Sequence, residues 1–168
     1  MNLERLLLQK KEAILQEWLR GIFDSYALET GSFLLNLDDR FANPVGYTIS
    51  ANAGQLLDAL ISGDDPGTLH GRLEKIIRIR AVQDFTPAQA VSFMTELKTV
   101  IRSRILHDAT KHGLLNELNE LETKIDSLGS TSAELYMNMK RQIRELSVNE
   151  AIKAEGFKAR VISIRKVR

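Results

Sequence analysis

The sequence predicts an all-α fold, a helical bundle with a long C-terminal helix. Along most of its 168 residues, apolar side chains recur every three or four positions, which is the period of amphipathic helices. Proline-led start signals and glycine stop signals separate these stretches. β-branched residues cluster only at 161–164, too few to make a sheet. The length fits one domain with a single apolar core.

The first half of the chain predicts two helices separated by a looser region. Residues 3–27 carry a long amphipathic stripe, and residues 47–62 carry a second one that Gly63 ends. Between them, Gly31 and Pro44 bracket a looser stretch with a short apolar turn at residues 33–35. We therefore expect irregular structure there.

Two further helices have clear boundary signals. Asp65 and Pro66 are typical of an N-cap and first helical position, so a third helix is predicted from there to about Val82. Thr86 begins the fourth, with Pro87 at its first position and Gln89 placed to complete a capping box. The Lys111–Gly113 segment is a plausible C-terminal cap for it.

The last helix, predicted over about residues 114–150, has a heptad seam that indicates dimerisation. Gly129 is its weak point, since Thr131 and Glu134 could cap a new helix and turn the segment into a hairpin. The seam keeps its phase across Gly129, which favours one continuous helix. The predicted dimer-interface residues are Leu121, Ile125, Leu128, Leu135 and Met139.

Charge divides the chain unevenly into a domain, residues 1–150, and a basic C-terminal tail, residues 151–168. The net charge is +1 and the tail carries +5, so residues 1–150 carry −4. Such a tail can contact nucleic acid or anionic lipid, or be a solvated end. The solvated end is the simpler interpretation, and no nucleic-acid partner is predicted.

Motifs for catalysis, cofactors and metals are missing from the sequence. It has no cysteine, no phosphate-binding loop and no G-x-S-x-G, and its three histidines lack ligand spacing. No segment approaches the ~20 apolar residues of a membrane span, and the leucine run near the N-terminus is too short for a signal peptide. We therefore expect a cytoplasmic protein that is not an enzyme and has neither cofactor nor metal.

Arg80 has an unusual position for a charged residue. At 100° per residue it falls inside the apolar sector of the third helix, together with Leu73 and Ile76. An arginine there cannot lose its charge and must find an anion or acceptors. An internal ion pair is the favoured interpretation, with Asp84 the nearest partner. The alternatives are a bound ligand carboxylate or phosphate, and a side chain that reaches solvent.

Three stretches carry a family resemblance. Arg40–Gly46, Ile77–Phe85 and Pro87–Val91 resemble the N-terminal domain of the RsbT co-antagonist (RsbRD-type) family, over about residues 3–150. The resemblance implies a globin-like helical domain without haem, dimeric through its final helices, that serves bacterial signalling. Many members carry an output domain after this one, whereas this chain stops soon after the last helix.

The function predicted is thus a non-enzymatic sensor or protein-interaction domain acting as a homodimer, with a protein partner in a signalling or multi-subunit complex. A small apolar or carboxylate ligand is a further expectation, and its predicted site comprises Arg80, Asp84, Phe41 and Asn43. One alternative is a helical scaffold subunit that docks on a larger complex. Another is a haem sensor, for which His70 would be the ligand to test.

Overall fold

The computed structural model describes residues 1–26, 28–35, 41–83 and 85–166, with the side chains of 28, 29, 32, 33 and 164–166 left out. This part of the chain is helical, with no strand, as the sequence predicts. Its six helices are α1 (Leu3–Asp24), α2 (Leu28–Leu35), α3 (Pro44–Ser62), α4 (Pro66–Ala81), α5 (Pro87–Lys111) and α6 (Leu115–Lys166).

The stretch after α1 differs from the prediction. Helix α1 ends at Asp24, and α2 occupies part of the region expected to be loose. Gly31 allows α2 to lie close to α1, because a Cβ there would come within 2.5 Å of the Phe23 carbonyl oxygen. Close packing between helices thus replaces the expected turn.

The predicted start signals of α4 and α5 are confirmed. The Asp65 carboxylate accepts from the Thr68 amide at 3.1 Å. Thr86 and Gln89 form the complete capping box, with Pro87 as the first helical residue. These caps fix where the turn between α4 and α5 lies, and this turn borders the candidate site below.

The core lies where α5 is enclosed between α1 and α6, with α3 and α4 packed alongside. Trp18 of α1 anchors it: its ring stacks on Phe93 and its indole N–H donates to the Phe93 carbonyl at 2.7 Å. A buried Trp with a satisfied N–H is a strong fixed point for two helices. The described side chains therefore form one continuous apolar core.

Helix α6 is continuous through Gly129 and runs for 52 residues, or ~78 Å. It therefore continues 16 residues past the predicted end at 150, and residues 151–166 of the predicted tail are helical. Ile143 is the last residue of α6 packed against the core, and residues 144–160 are all exposed. The second half of α6 thus leaves the body of the domain. Among the described residues, no helix is long and apolar enough to span a membrane.

Candidate functional site

Arg80, in the last turn of α4, is 0% exposed. Its Nη2 donates to the Ser25 hydroxyl at 3.1 Å and to the Gln89 carbonyl at 2.9 Å. Ser25 caps the C-terminus of α1, where the helix dipole favours a cation. One charged side chain thus joins the end of α1, the end of α4 and the start of α5.

Three aromatic rings surround the Arg80 guanidinium. Its central carbon lies 4.4 Å from the centroid of Phe85, 5.7 Å from that of Tyr26 and 5.8 Å from that of Phe93. Tyr26 also meets Phe85 edge to face at 5.1 Å. Cation–π attraction therefore replaces part of the hydration that burial removes.

The remaining donors of Arg80 are unpaired. Its Nε and Nη1 are buried and have no hydrogen-bond partner among the described residues. Glu96 of α5 has a buried carboxylate oxygen, Oε2, that also has no hydrogen-bond partner among the described residues. This oxygen lies close to Gly21. Buried polar groups are normally hydrogen-bonded, so a cation and a carboxylate that each keep buried atoms without a partner mark this site as unusual.

Burial and charge act in opposite directions on the ionisable groups here. Burial lowers the pKa of Arg80, while the charges of Tyr26 and Glu96 raise it. Burial raises the pKa of Glu96 above its usual range, against a lowering by Arg80. The pKa of Tyr26 is likewise raised by burial and partly lowered by Arg80. Arg80, Glu96 and Tyr26 thus form one electrostatic cluster inside the domain.

In the turn between α4 and α5, Phe85 lies against this cluster, and Gln83 and Phe85 accept hydrogen bonds from two sides. The Tyr26 hydroxyl donates to the Gln83 side chain at 2.7 Å. From α6, the Tyr136 hydroxyl donates to the Phe85 carbonyl at 2.7 Å, and the Lys140 ammonium to the Gln83 carbonyl at 3.4 Å. Any movement of this turn would therefore act on α6.

The other residues of the predicted ligand site lie elsewhere or outside the described part. Asn43 is buried at the corner between α2 and α3, where its side chain donates to the Leu34 carbonyl and accepts from the Gly46 amide, both at 3.0 Å. Phe41 precedes it and is 86% exposed. Asp84 lies outside the described residues, so its predicted pairing with Arg80 stays a prediction.

The predicted dimer residues divide into two groups. Leu121, Ile125 and Leu128 belong to the chain's own core, packed between α5 and α6. Leu135 and Met139 are partly buried and line a 450 Å³ groove between α4 and α6. The seam read from the sequence thus serves folding in its first half, and only its second half faces outward.

Glu96 and Tyr26 were missed in the sequence. Glu96 lies about 40° from Val100 on the helical wheel of α5, at the edge of the apolar stripe, so the signal that identified Arg80 was available there too. Tyr26 follows the end of α1, where periodicity carries no information. The three histidines, at 70, 107 and 112, are all exposed.

Comparison with known proteins gives one match. Residues 12–147 match the profile of a family described as the RsbT co-antagonist protein rsbRD N-terminal domain. No curated protein and no solved structure shows a significant match. The matched range contains Arg80, Glu96, the α4–α5 turn and Tyr136.

Proposed function

The chain belongs to the RsbRD N-terminal domain family, and we propose that it is a globin-like sensory module of bacterial signalling that senses through Arg80. It works in the cytoplasm, without haem and without catalysis of its own. Its output is a change in the packing of α6, read by a protein partner.

The observation that supports this proposal is the incomplete hydrogen bonding of the buried Arg80 side chain. The side chain is fully buried, yet two of its nitrogens have no acceptor among the described residues. A charge that is incompletely paired costs stability, and such costs persist where a function requires them. A ligand carboxylate would supply the missing acceptor, and the three surrounding rings would accommodate its apolar part.

The α4–α5 turn would transmit ligand binding at Arg80 to α6. The guanidinium of Arg80 is closed from solvent, and Phe85 of the α4–α5 turn lies against it, so displacement of this turn would open a route for a ligand. The same turn accepts hydrogen bonds from Tyr136 and Lys140 of α6. Binding that favours a displaced turn therefore favours a different arrangement of α6, as a two-state switch requires.

Thermal unfolding with decanoate as the probe tests the ligand proposal, with 1-decanol as the uncharged control of equal length. We expect decanoate to raise the melting temperature of the wild type and to leave Arg80→Met unchanged. Lys75→Met, which removes an exposed charge from the same helix, should respond like the wild type. Equal responses in Arg80→Met and the wild type, or none to decanoate or to inorganic phosphate, would contradict sensing through Arg80.

Homodimerisation through α6 is the second part of the proposal. A helix that leaves the body with exposed apolar side chains is marginal alone, and most helical stability comes from packing an apolar face. A wild-type protein that sediments as a monomer at tens of micromolar would contradict it.

A scaffold role is the second candidate function. The exposed apolar residues of α6 favour it, because they offer a surface to a larger complex even if Arg80 senses nothing. In residues 144–163 they are Leu146, Val148, Ile152, Phe157 and Ile162. Haem sensing is the weaker alternative, since the candidate ligand His70 is exposed, and a visible spectrum of protein from haem-supplemented cells tests it.

A further inference from the structure

The carboxylate of Glu96 lies in the seam where α1 packs against α5. Its Oε2 is buried, and a Cβ added to Gly21 of α1 would lie 3.0 Å from it. Glycine at this position therefore leaves room for the carboxyl group between the two helices. Ser25, one helical turn after Gly21, accepts a hydrogen bond from Arg80. Glu96 and Arg80 thus occupy neighbouring positions along the same seam.

Arg80 and Glu96 do not satisfy each other. The Nη2 of Arg80 donates to the carbonyl of Gln89, which precedes Glu96 by about two turns, or ~10 Å, along α5. The Nε and Nη1 of Arg80 and the Oε2 of Glu96 have no hydrogen-bond partner among the described residues. The cation and the carboxylate therefore act on each other through their electric fields alone. Such fields are screened less inside a protein than in water, so the interaction is substantial.

Four influences set the charge state of Glu96. Burial is the largest, and it raises the pKa of Glu96. Asp24, at the end of α1, raises this pKa as well, whereas Arg80 of α4 and the Ser92 hydroxyl lower it. Among the described groups that act on Glu96, Arg80 therefore supplies the charge that favours the carboxylate form.

The other ionisable groups around this seam leave that balance unchanged. Burial raises the pKa of Tyr26, so its hydroxyl stays neutral. On the α6 side of α5, Lys98 pairs with Asp126. Towards the other end of α5, Arg104 pairs with Glu17 of α1. Each of these ion pairs is neutral as a whole and adds little net charge to the seam.

We propose that the site binds a ligand carboxylate together with one proton, which Glu96 accepts. This inference rests on the proposed sensing through Arg80, and it adds the class of ligand, weak organic acids, and its regulation by pH. In the free protein, Arg80 and an ionised Glu96 carry opposite charges that sum to zero. After binding, Arg80 faces the ligand carboxylate, Glu96 is a neutral carboxylic acid, and the sum is zero again.

Proton uptake follows from this charge balance. If Glu96 stayed ionised, a carboxylate beside Arg80 would leave one net negative charge inside the domain, and an unpaired buried charge is costly. Two acids that share one site avoid this cost when one of them holds a proton. Glu96 is the acid that accepts it, because its Oε2 has no donor, whereas the ligand carboxylate has the unpaired nitrogens of Arg80.

Binding an anion and a proton together is equivalent to binding the undissociated acid. The ligand takes from Glu96 the cation that lowers its pKa, so this pKa is higher in the complex than in the free protein. Affinity for the anion should therefore fall as the pH rises, by up to about tenfold per pH unit where Glu96 is protonated only in the complex. The domain then responds most strongly when a weak acid accumulates and the pH falls.

Isothermal titration calorimetry of the full chain with decanoate tests this inference. Each titration is run at one pH in two buffers that differ in ionisation enthalpy, and the difference in heat gives the number of protons taken up. The pH series lies above the usual carboxyl range, where decanoate itself is ionised. We expect the wild type to take up a proton over part of the series, with a maximum approaching one. Binding without proton uptake at every pH would overturn the inference.

Two carboxamide variants identify the proton acceptor. Glu96→Gln should take up no proton, and at the top of the pH series it should bind decanoate at least about tenfold more tightly than the wild type, because the competing anion is gone. Glu74→Gln removes a carboxylate of α4 that is paired with Arg78, and this matched control should behave like the wild type. Equal proton uptake in Glu96→Gln and the wild type would overturn the role of Glu96.

The outcomes separate this inference from the proposed sensing through Arg80. A wild type that does not bind decanoate, or an Arg80→Met variant that binds it equally well, would contradict both. Decanoate that binds through Arg80 without proton uptake would overturn the proton coupling alone. The proton count of the wild type requires no variant, so it decides the question even if Glu96→Gln is unstable.

Discussion

The hydroxyl of Tyr136 donates a hydrogen bond of 2.7 Å to the carbonyl oxygen of Phe85. The ring of Phe85 lies 4.4 Å from the guanidinium of Arg80. A residue of the longest helix is therefore one hydrogen bond and one ring contact away from a buried charge. This connection makes the α4–α5 turn the point where an event at Arg80 would reach α6.

Arg80 and Glu96 should be energetically coupled. Arg80→Met keeps the apolar stem but leaves the Glu96 carboxylate without its cation, so we expect a loss of stability that Glu96→Gln largely restores. The coupling energy should be about 1–2 kcal/mol in a double-mutant cycle, the range for residues that share a buried network. Denaturant unfolding of the four proteins measures it. Strict additivity would mean that the two groups do not interact.

The pH dependence of stability should report Glu96. Burial raises the pKa of Glu96 above its unfolded value. The carboxyl therefore contributes stability below the unfolded pKa and loses that contribution as the pH rises through the folded one. We expect the melting temperature of the wild type, relative to Glu96→Gln, to fall as the pH rises above the usual carboxyl range. Parallel curves, or a difference of the opposite sign, would contradict a raised pKa.

Replacing Gly129 and Gly46 by alanine should change stability in opposite directions. A Cβ on Gly129 would meet the Met94 side chain at 3.8 Å, an ordinary contact, so Gly129→Ala should stabilise α6 by about 0.5–1 kcal/mol. A Cβ on Gly46 would come within 2.3 Å of the Leu34 carbonyl oxygen, so Gly46→Ala should cost at least about 2 kcal/mol. Chemical denaturation compares them. A destabilised Gly129→Ala would show that α5 and α6 pack more tightly than described.

Local signals predicted the elements well. Thr86, Gln89 and Gly63 act within one turn of their own position, so the sequence alone placed those helix ends. The existence of α2 was missed, because its position depends on contact between Gly31 and the Phe23 carbonyl, two residues on different helices. Long-range packing of this kind leaves no mark in a periodic pattern.

The candidate site was predicted only in part. Arg80 could be identified because a permanent charge on an apolar stripe is conspicuous. The hydrogen-bond partners of Arg80 could not be predicted. Ser25 is 55 residues away and contributes a capping hydroxyl, and Gln89 is 9 residues away and contributes a backbone carbonyl. The heptad seam was read correctly as a stripe, but periodicity does not tell whether a stripe meets its own core or a partner. In the structure, Leu121 and Ile125 pack in the chain's own core.

The most direct test of transmission from Arg80 to α6 is amide hydrogen exchange of residues 136–146 in the full chain. Arg80→Met should speed exchange there, because it loosens the turn that holds Tyr136, and Lys75→Met should not. In a Tyr136→Phe background, where the link to Phe85 is already broken, Arg80→Met should add little. Exchange in residues 136–146 that is the same in Arg80→Met and the wild type would contradict the account.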